Sequence, residues 1–323
     1  MALGEFDLIR RYFAQAGISH PETRLGIGDD CALLSCPPGM ELAITVDTLV
    51  ADIHFFADVA PENLGHKALA VNLSDLAAMG AQPKWCTLAL TLPTVAEAWI
   101  EGFMRGFLAL AARHGVQLIG GDTTRGPLSI TIQAMGLVPR GEALRRSRAR
   151  PGDLIFVSNT LGAAGLALKQ RLSGQSSDDS GLLAALERPE PRLALGQKLR
   201  GLATACIDIS DGLAADLGHI LEASRVGACI HFERLPLVDS VRRHVEATGD
   251  ITLPLSAGDD YELCFTIPPE RRTEADALLR QLDLRGSDIG VIEGKPGLNI
   301  HHDGCNVSLE TFGHDHFAKP QSH

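Results

Sequence analysis

The chain has 323 residues, a formal net charge of −11, 45% hydrophobic and 21% charged residues: enough for two domains, and without the basic face that nucleic acid or an anionic membrane requires. Its seven cysteines, at 31, 36, 86, 206, 229, 264 and 305, are odd in number and never spaced C-x-x-C, which argues against a disulfide or zinc framework and for reduced, mainly buried thiols in a cytoplasmic protein. The first residues lack a signal-peptide core, and no apolar run reaches the roughly 18 residues that span a bilayer.

Apolar residues at 6, 8, 9, 12, 13 and 16 predict a helix over 5–16 that Gly17 ends. The stretch Gly26-Ile27-Gly28-Asp29-Asp30-Cys31-Ala32 follows, a poor core segment and a good cation-holding loop. Strands are predicted over 31–35 and 41–49, joined by Pro37-Pro38-Gly39, with Thr45 and Asp47 on one face. Pro61 opens a helix whose apolar stripe includes Asp75 and which Gly80 closes. A carboxylate on a buried stripe is expensive unless paired or metal-bound, so this helix is expected to deliver Asp75 into a site. Next come a strand over 84–92, a Thr94/Glu97 capping box opening a helix that stops at Gly115, a strand over 116–119, a loop Gly120–Thr124 and a strand over 128–138.

This first half reads as one α+β domain, 1–139, followed by a basic linker, 140–152, carrying Arg140, Arg145, Arg146, Arg148 and Arg150. In the second domain, 153–323, strands and helices alternate. Strands fall over 153–158, 204–208, 227–232, 261–267 and near the C-terminus; helices follow Gly162/Gly165 and span 192–202, 212–225, 239–247 and 269–282. The polar stretch 173–181 reads as an insertion. Two short echoes, Ser74-Asp75 with Ser210-Asp211 and Gly28-Asp29-Asp30 with Gly258-Asp259-Asp260, hint at related halves.

One Gly-Asp-Asp or Ser-Asp segment is an ordinary turn, but six in one chain suggest several divalent cations bridging a polyphosphate. The chain has no G-x-x-x-x-G-K-[ST] loop, no kinase H-R-D or D-F-G pair and no G-x-G-x-x-G fingerprint. Phosphate charge must then be met by metals and arginines, with Arg146 either a phosphate grip or a solvated linker residue. Asp208-Ile209-Ser210-Asp211-Gly212 lies where a strand gives way to a helix, so its backbone N–H groups either hold a phosphate or are plainly capped. His54 is a candidate substrate contact.

In order along the chain, Gly26-Ile-Gly-Asp-Asp-Cys-Ala-Leu-Leu, Thr45-Val-Asp-Thr-Leu-Val with His54-Phe55, Lys67 to Gly80, Gly120-Gly-Asp-Thr-Thr-Arg-Gly126, Asp208-Ile-Ser-Asp-Gly212 and Ser256-Ala-Gly-Asp-Asp-Tyr-Glu-Leu263 resemble the thiamine-monophosphate kinase family. The resemblance runs from about Gly4 to Phe317, within the wider group that includes aminoimidazole ribonucleotide synthetase, selenophosphate synthetase and a hydrogenase-maturation protein. It implies an α+β two-domain fold, with an N-terminal domain that pairs through its sheet in a homodimer and a C-terminal α/β domain that completes the site. It implies ATP-dependent phosphorylation of thiamine monophosphate to thiamine diphosphate by direct transfer, with several Mg2+ ions.

By motif, the resemblance makes Asp30, Thr45, Val46, Asp47, Asp75, Asp122, Asp208 and Asp211 magnesium ligands; in the acidic loop it favours Asp30 as the ligand and leaves Asp29 to shape the loop or to support the ligand. Gly121, Asp122, Arg146 and Ser210 become ATP contacts, and His54, Glu262 and Phe317 substrate contacts. Val46 stands where the family commonly has Thr or Ser, so only its backbone carbonyl is available to a metal. Other readings are another ATP-using synthetase of the group, a metal-dependent phosphatase, or a non-catalytic magnesium–nucleotide module.

Overall fold

In the computed structural model, which describes residues 9–13, 17–175, 179–307, 309 and 313, the acidic loop is the tip of a hairpin. Strands β1 (Thr23–Leu25) and β2 (Leu33–Leu34) pair antiparallel on either side of it. The expected strands over 31–35 and 41–49 are therefore consecutive but not partners: β3 (Met40–Val50) instead runs antiparallel to β6 (Ser129–Pro139) over its whole length. Of the helix expected over 5–16, the described part is the helical turn Ile9–Phe13.

A four-stranded sheet of order β3-β6-β4-β5, with β4 at Gln82–Leu92 and β5 at Gln117–Arg125, forms the first unit. Helices α1 (Pro61–Ala78) and α2 (Glu97–His114) pack against each other through glycines. A Cβ at Gly65 would lie 2.0 Å from the Phe103 carbonyl oxygen and one at Gly106 1.8 Å from that of Glu62, so only glycine permits this approach. Helix α1 is buried on nearly every side rather than along one stripe: His66, Lys67, Asn72 and Ser74 are buried along with its leucines. Gly115 ends α2 in the left-handed conformation, as expected. The Thr94/Glu97 capping box does not form, because the helix starts at Glu97 itself and that carboxylate pairs with Arg11 at 2.8 Å.

The expected loop Gly120–Thr124 is strand. β5 continues through it, parallel to β4, with one extra residue bulged out opposite Cys86/Thr87. Gly121 has φ 153°, and a Cβ there would stand 1.9 Å from the Leu88 carbonyl oxygen. Gly121 serves a close approach of strands, which from the sequence looks the same as a turn.

One face of this sheet is covered at one end by the β1–β2 hairpin, where Trp85, Ile119, Met135 and Leu137 cluster with Leu34 and Met40. The Trp85 indole N–H donates to Thr23 Oγ1 at 2.8 Å, and that hydroxyl donates to Gln117 at 2.7 Å. Farther along the same face Leu42, Ile44 and Val46 are 42%, 55% and 58% exposed.

The second unit holds a seven-stranded sheet of order β13-β12-β9-β11-β7-β10-β8. Its strands are β7 (Leu154–Val157), β8 (Ala205–Ile209), β9 (Gly227–His231), β10 (Glu262–Ile267), β11 (Ser287–Glu293), β12 (Gly297–His302) and β13 (Cys305–Val307). Strands and helices alternate as expected, but every pairing is antiparallel except β12 with β9. The helices are α3 (Ala163–Leu172), α4 (Ser180–Glu187), α5 (Leu193–Leu199), α6 (Leu213–Ser224), α7 (Asp239–Thr248), α8 (Leu253–Ser256) and α9 (Arg272–Gln281). Helix α4 begins inside the stretch read as an insertion, part of which, 176–178, lies outside the described residues. None of the described helices is long and apolar enough to cross a membrane.

The unit boundary falls between Ala143 and Leu144, inside the expected linker. The rest of that basic stretch is built into the second unit: the Cys206 N–H donates to the Arg145 carbonyl at 3.2 Å, and the Ser224 hydroxyl donates to that of Arg146 at 2.7 Å. Conversely, Glu187–Gln197 leaves the second half of the sequence to join the first unit. There Asn63 donates to Glu187 at 2.7 Å, the His66 ring bonds the Pro189 carbonyl at 2.8 Å, and Arg113 pairs with Glu190 at 2.6 Å. All seven cysteines are free thiols, with Cys86, Cys206, Cys229 and Cys264 buried and Cys31, Cys36 and Cys305 exposed.

Candidate functional site

In the first unit three of the predicted ligands meet where β3 faces α1. Alternation along β3 puts Thr45 and Asp47 on the helix side, and the last turns of α1 bring Asp75 to them. The Thr45 hydroxyl donates to Asp75 in a short hydrogen bond. Burial, then the charge of Asp75 and a hydrogen bond to it, push the Asp47 carboxyl up to about 7. Two carboxylates held together in a half-buried place repel unless they share a proton or a cation. This donor set, two carboxylates and a hydroxyl, fits a hard divalent ion.

The other predicted ligands of this unit sit apart from that pair in their local structure. Asp30 is exposed in the hairpin tip, where Asp29 Oδ1 accepts its backbone N–H at 2.9 Å, so Asp29 has the loop-shaping role expected of it. Asp122 is exposed on β5 across from Ala89, on the row next to Gly121, Leu88, Ile132 and Asp47. Val46 points its side chain to the opposite face from Thr45 and Asp47 and stands exposed. His54 closes the turn after β3, its Nδ1 accepting the Val50 N–H at 3.1 Å, which puts the ring proton on Nε2.

In the second unit Asp208, Ser210 and Asp211 lie at the end of β8 and the turn into α6, with Asp208 buried and the other two half-buried. The turn does not offer its N–H groups to a phosphate. Those of Ser210, Asp211 and Gly212 all donate to Asp216 Oδ2, at 3.0, 3.0 and 3.1 Å. Asp216 is 3% exposed, and burial pushes its carboxyl up to about 7 against the pull of those hydrogen bonds. Sequence reasoning missed this residue; the available signal was an aspartate one helical turn after the Gly212 that precedes α6.

Glu262, also buried, opens β10 and accepts a short hydrogen bond from the Ser158 hydroxyl and one at 3.3 Å from Asn159. Neighbouring Asp260 accepts the Gly162 N–H at the start of α3, and its burial holds it well above the usual carboxylate range. The second Gly-Asp-Asp segment thus secures a turn, unlike its echo at 28–30. Arg146 is exposed on the turn pinned to Ser224. Phe317 lies outside the described residues.

Known proteins resemble the chain along its whole length. The N-terminal domain of AIR synthase related proteins matches residues 28–138 and their C-terminal domain residues 150–303. The thiamine-monophosphate kinase of Escherichia coli strain K12 is 52% identical, covering 99% of this chain and 100% of its own. That of Bacillus subtilis is 35% identical, over 98% and 100%. The chain belongs to the thiamine-monophosphate kinase family. Among solved structures, the family member from Stenotrophomonas maltophilia superposes with a TM-score of 0.85 at 46% identity, covering 94% of this chain and 98% of that one. The structure of AaThiL complexed with AMPPCP and TMP gives 0.77 at 30%, over 87% and 89%. The α+β, two-domain expectation is borne out by both family domains and by these folds.

Proposed function

We propose that the chain is a thiamine-phosphate kinase, which moves the terminal phosphoryl group of ATP directly onto the phosphate of thiamine monophosphate and releases thiamine diphosphate and ADP. The observation that carries the reading is the Asp47–Asp75 pair with its Thr45 hydroxyl, in a chain about half identical to kinases of this name over its full length. Such a pair, one carboxyl pushed to about 7, is a poor structural device and a good cation seat.

Asp30, Thr45, Asp47, Asp75 and Asp122 of the first unit and Asp208 and Asp211 of the second are the residues that would hold Mg2+, with Val46 limited to its backbone oxygen. Bound magnesium supplies the positive charge that offsets repulsion between donor and acceptor phosphates. Gly121, Asp122, Arg146 and the Ser210 hydroxyl bind ATP; His54, Glu262 and Phe317 bind the thiamine substrate. The buried Glu262 carboxylate, steadied by Ser158 and Asn159, is suited to a cationic heterocycle. The acceptor is already an anionic phosphate oxygen, so the residues have to position and orient rather than remove a proton, and no covalent intermediate is needed.

The first unit also pairs with its copy in a homodimer. The exposed row Leu42, Ile44 and Val46 on a sheet face supports this, because an apolar row of that kind is usually covered. Incubation of the purified protein with ATP, Mg2+ and thiamine monophosphate should yield ADP and thiamine diphosphate in equal amounts. ADP without thiamine diphosphate, or inorganic phosphate released without ATP, would refute the assignment.

A further inference from the structure

The turn from β8 into α6, residues 210–212, is clamped from two directions. Asp216, in the first turn of α6, folds its carboxylate back so that one oxygen accepts three successive N–H groups. Gly212 is the residue before α6, so the carboxylate gathers the N–H groups of the turn that leads into the helix. From the other side, the Asp259 N–H donates to the Ser210 carbonyl and the Tyr261 N–H to that of Ile209, each at 2.8 Å. Asp259 and Tyr261 reach these positions with φ of 67° and 49°, a conformation that side-chain-bearing residues seldom adopt. The fit is tight: a Cβ on Gly258 would lie 2.2 Å from the Ser210 carbonyl oxygen, and one on Gly212 2.7 Å from the backbone of Ser256.

Both backbone polar groups of Ser210 are thus used inside the protein. Among the described residues the Ser210 hydroxyl and the Asp211 carboxylate make no hydrogen bond or ion pair, and both residues are half-buried. The turn directs its backbone inward and leaves two side-chain groups to act. In a phosphate-binding strand-to-helix turn the N–H groups themselves meet the ligand.

We infer that Asp216 is a positioning residue for nucleotide binding: an internal acceptor that takes the N–H cradle and so holds the Ser210 hydroxyl and the Asp211 carboxylate in place for ATP and its metal. The inference rests on the reading that Ser210 and Asp211 serve the nucleotide. The role needs an acceptor oxygen at one point rather than a negative charge. Asparagine supplies that oxygen and relieves the repulsion that Asp211 exerts on Asp216 and that Asp216 exerts on Asp260.

The full chain tests this with Asp216→Asn and Asp216→Ala, read by calorimetric titration of a non-hydrolysable ATP analogue with Mg2+, by steady-state kinetics and by hydrogen exchange. Asp216→Asn should keep the amides of 210–212 protected and the analogue affinity within about 3-fold of wild type. Asp216→Ala should lose that protection and weaken the analogue by about 100-fold, the scale of a misplacement near 1 Å, while the KM for thiamine monophosphate stays within about 2-fold. Wild-type affinity in a folded Asp216→Ala, or equal losses in both variants, overturns the inference. Should Asp216→Ala not fold, Asp216→Gln reads the same contrast, because its oxygen sits one methylene too far out; wild-type affinity there would also overturn it. Asp211→Asn and Ser210→Ala separate the underlying reading. If both bind the analogue normally, it is the nucleotide role of the turn that fails; if they lose affinity and Asp216→Ala does not, the positioning role alone fails.

Discussion

Replacing Asp75 by asparagine should make the metal-free protein more stable and the enzyme inactive. Asp47 stands at about 7 against an ordinary 3.8, so ionising it in the fold costs about 4 kcal/mol. Burial is the first cause and remains in the variant; the charge of Asp75 and its hydrogen bond come next. Removing them returns part of the cost, about 1–2 kcal/mol, with solvent access at this half-buried site favouring the lower value. The asparagine side chain keeps an oxygen to accept the Thr45 hydroxyl, so the local hydrogen bond survives. Urea unfolding at pH 8 in EDTA should therefore give a higher midpoint for Asp75→Asn than for wild type. Added Mg2+ with an ATP analogue should raise the wild-type midpoint and leave the variant nearly unchanged. A variant less stable in EDTA, or stabilised by Mg2+ as strongly as wild type, would show that this pair is not a cation seat.

The pH dependence follows from the same group and from Asp216, also at about 7. Each binds its proton more tightly folded than unfolded, so between about pH 4 and 7 the native state holds more protons and stability falls as pH rises. Metal-free protein should thus have a higher urea midpoint at pH 5.5 than at pH 8; a flat profile would place both carboxylates in a more polar setting. Gly121→Ala drives a Cβ to 1.9 Å from the Leu88 carbonyl oxygen, so it should cost about 2–3 kcal/mol in urea and reduce turnover by moving Asp122; a wild-type midpoint would mean the strands yield there. Ile44→Asp combined with Val46→Asp puts charge on the exposed row of β3, and sedimentation should show monomer in place of dimer. A variant that sediments at the same mass as the wild type would refute the proposed pairing through this face.

Much of the local structure was legible because it depends on neighbours in the chain. Period-two alternation marked β3 and put Thr45 with Asp47; Pro61 marked the start of α1 and Gly115 the end of α2. The helix carrying Asp75 was expected to deliver it to a site, and the packing of α1 on β3 brings it against Thr45 and Asp47. The errors share one cause. Gly120-Gly121 reads as a turn until β4 is known to lie against it, and Thr94/Glu97 reads as a cap until Arg11 claims the glutamate. For the N–H groups of 210–212 the sequence left phosphate binding and capping both open, and Asp216 folding back onto them decides for the cap.

The sequence by itself determined the chemistry: the supply of carboxylates, the missing phosphate-binding loops, the order of motifs and hence the family. These depend on residue type and spacing, which a linear chain displays in full. Tertiary structure alone decided which carboxylates meet and which act as scaffolding. It paired Asp47 with Asp75, set Asp260 to hold Gly162, gave Asp216 the turn beside Asp211, and returned Glu187–Gln197 to the first unit. Burial and repulsion depend on distances between residues far apart in the chain, and only packing sets those distances.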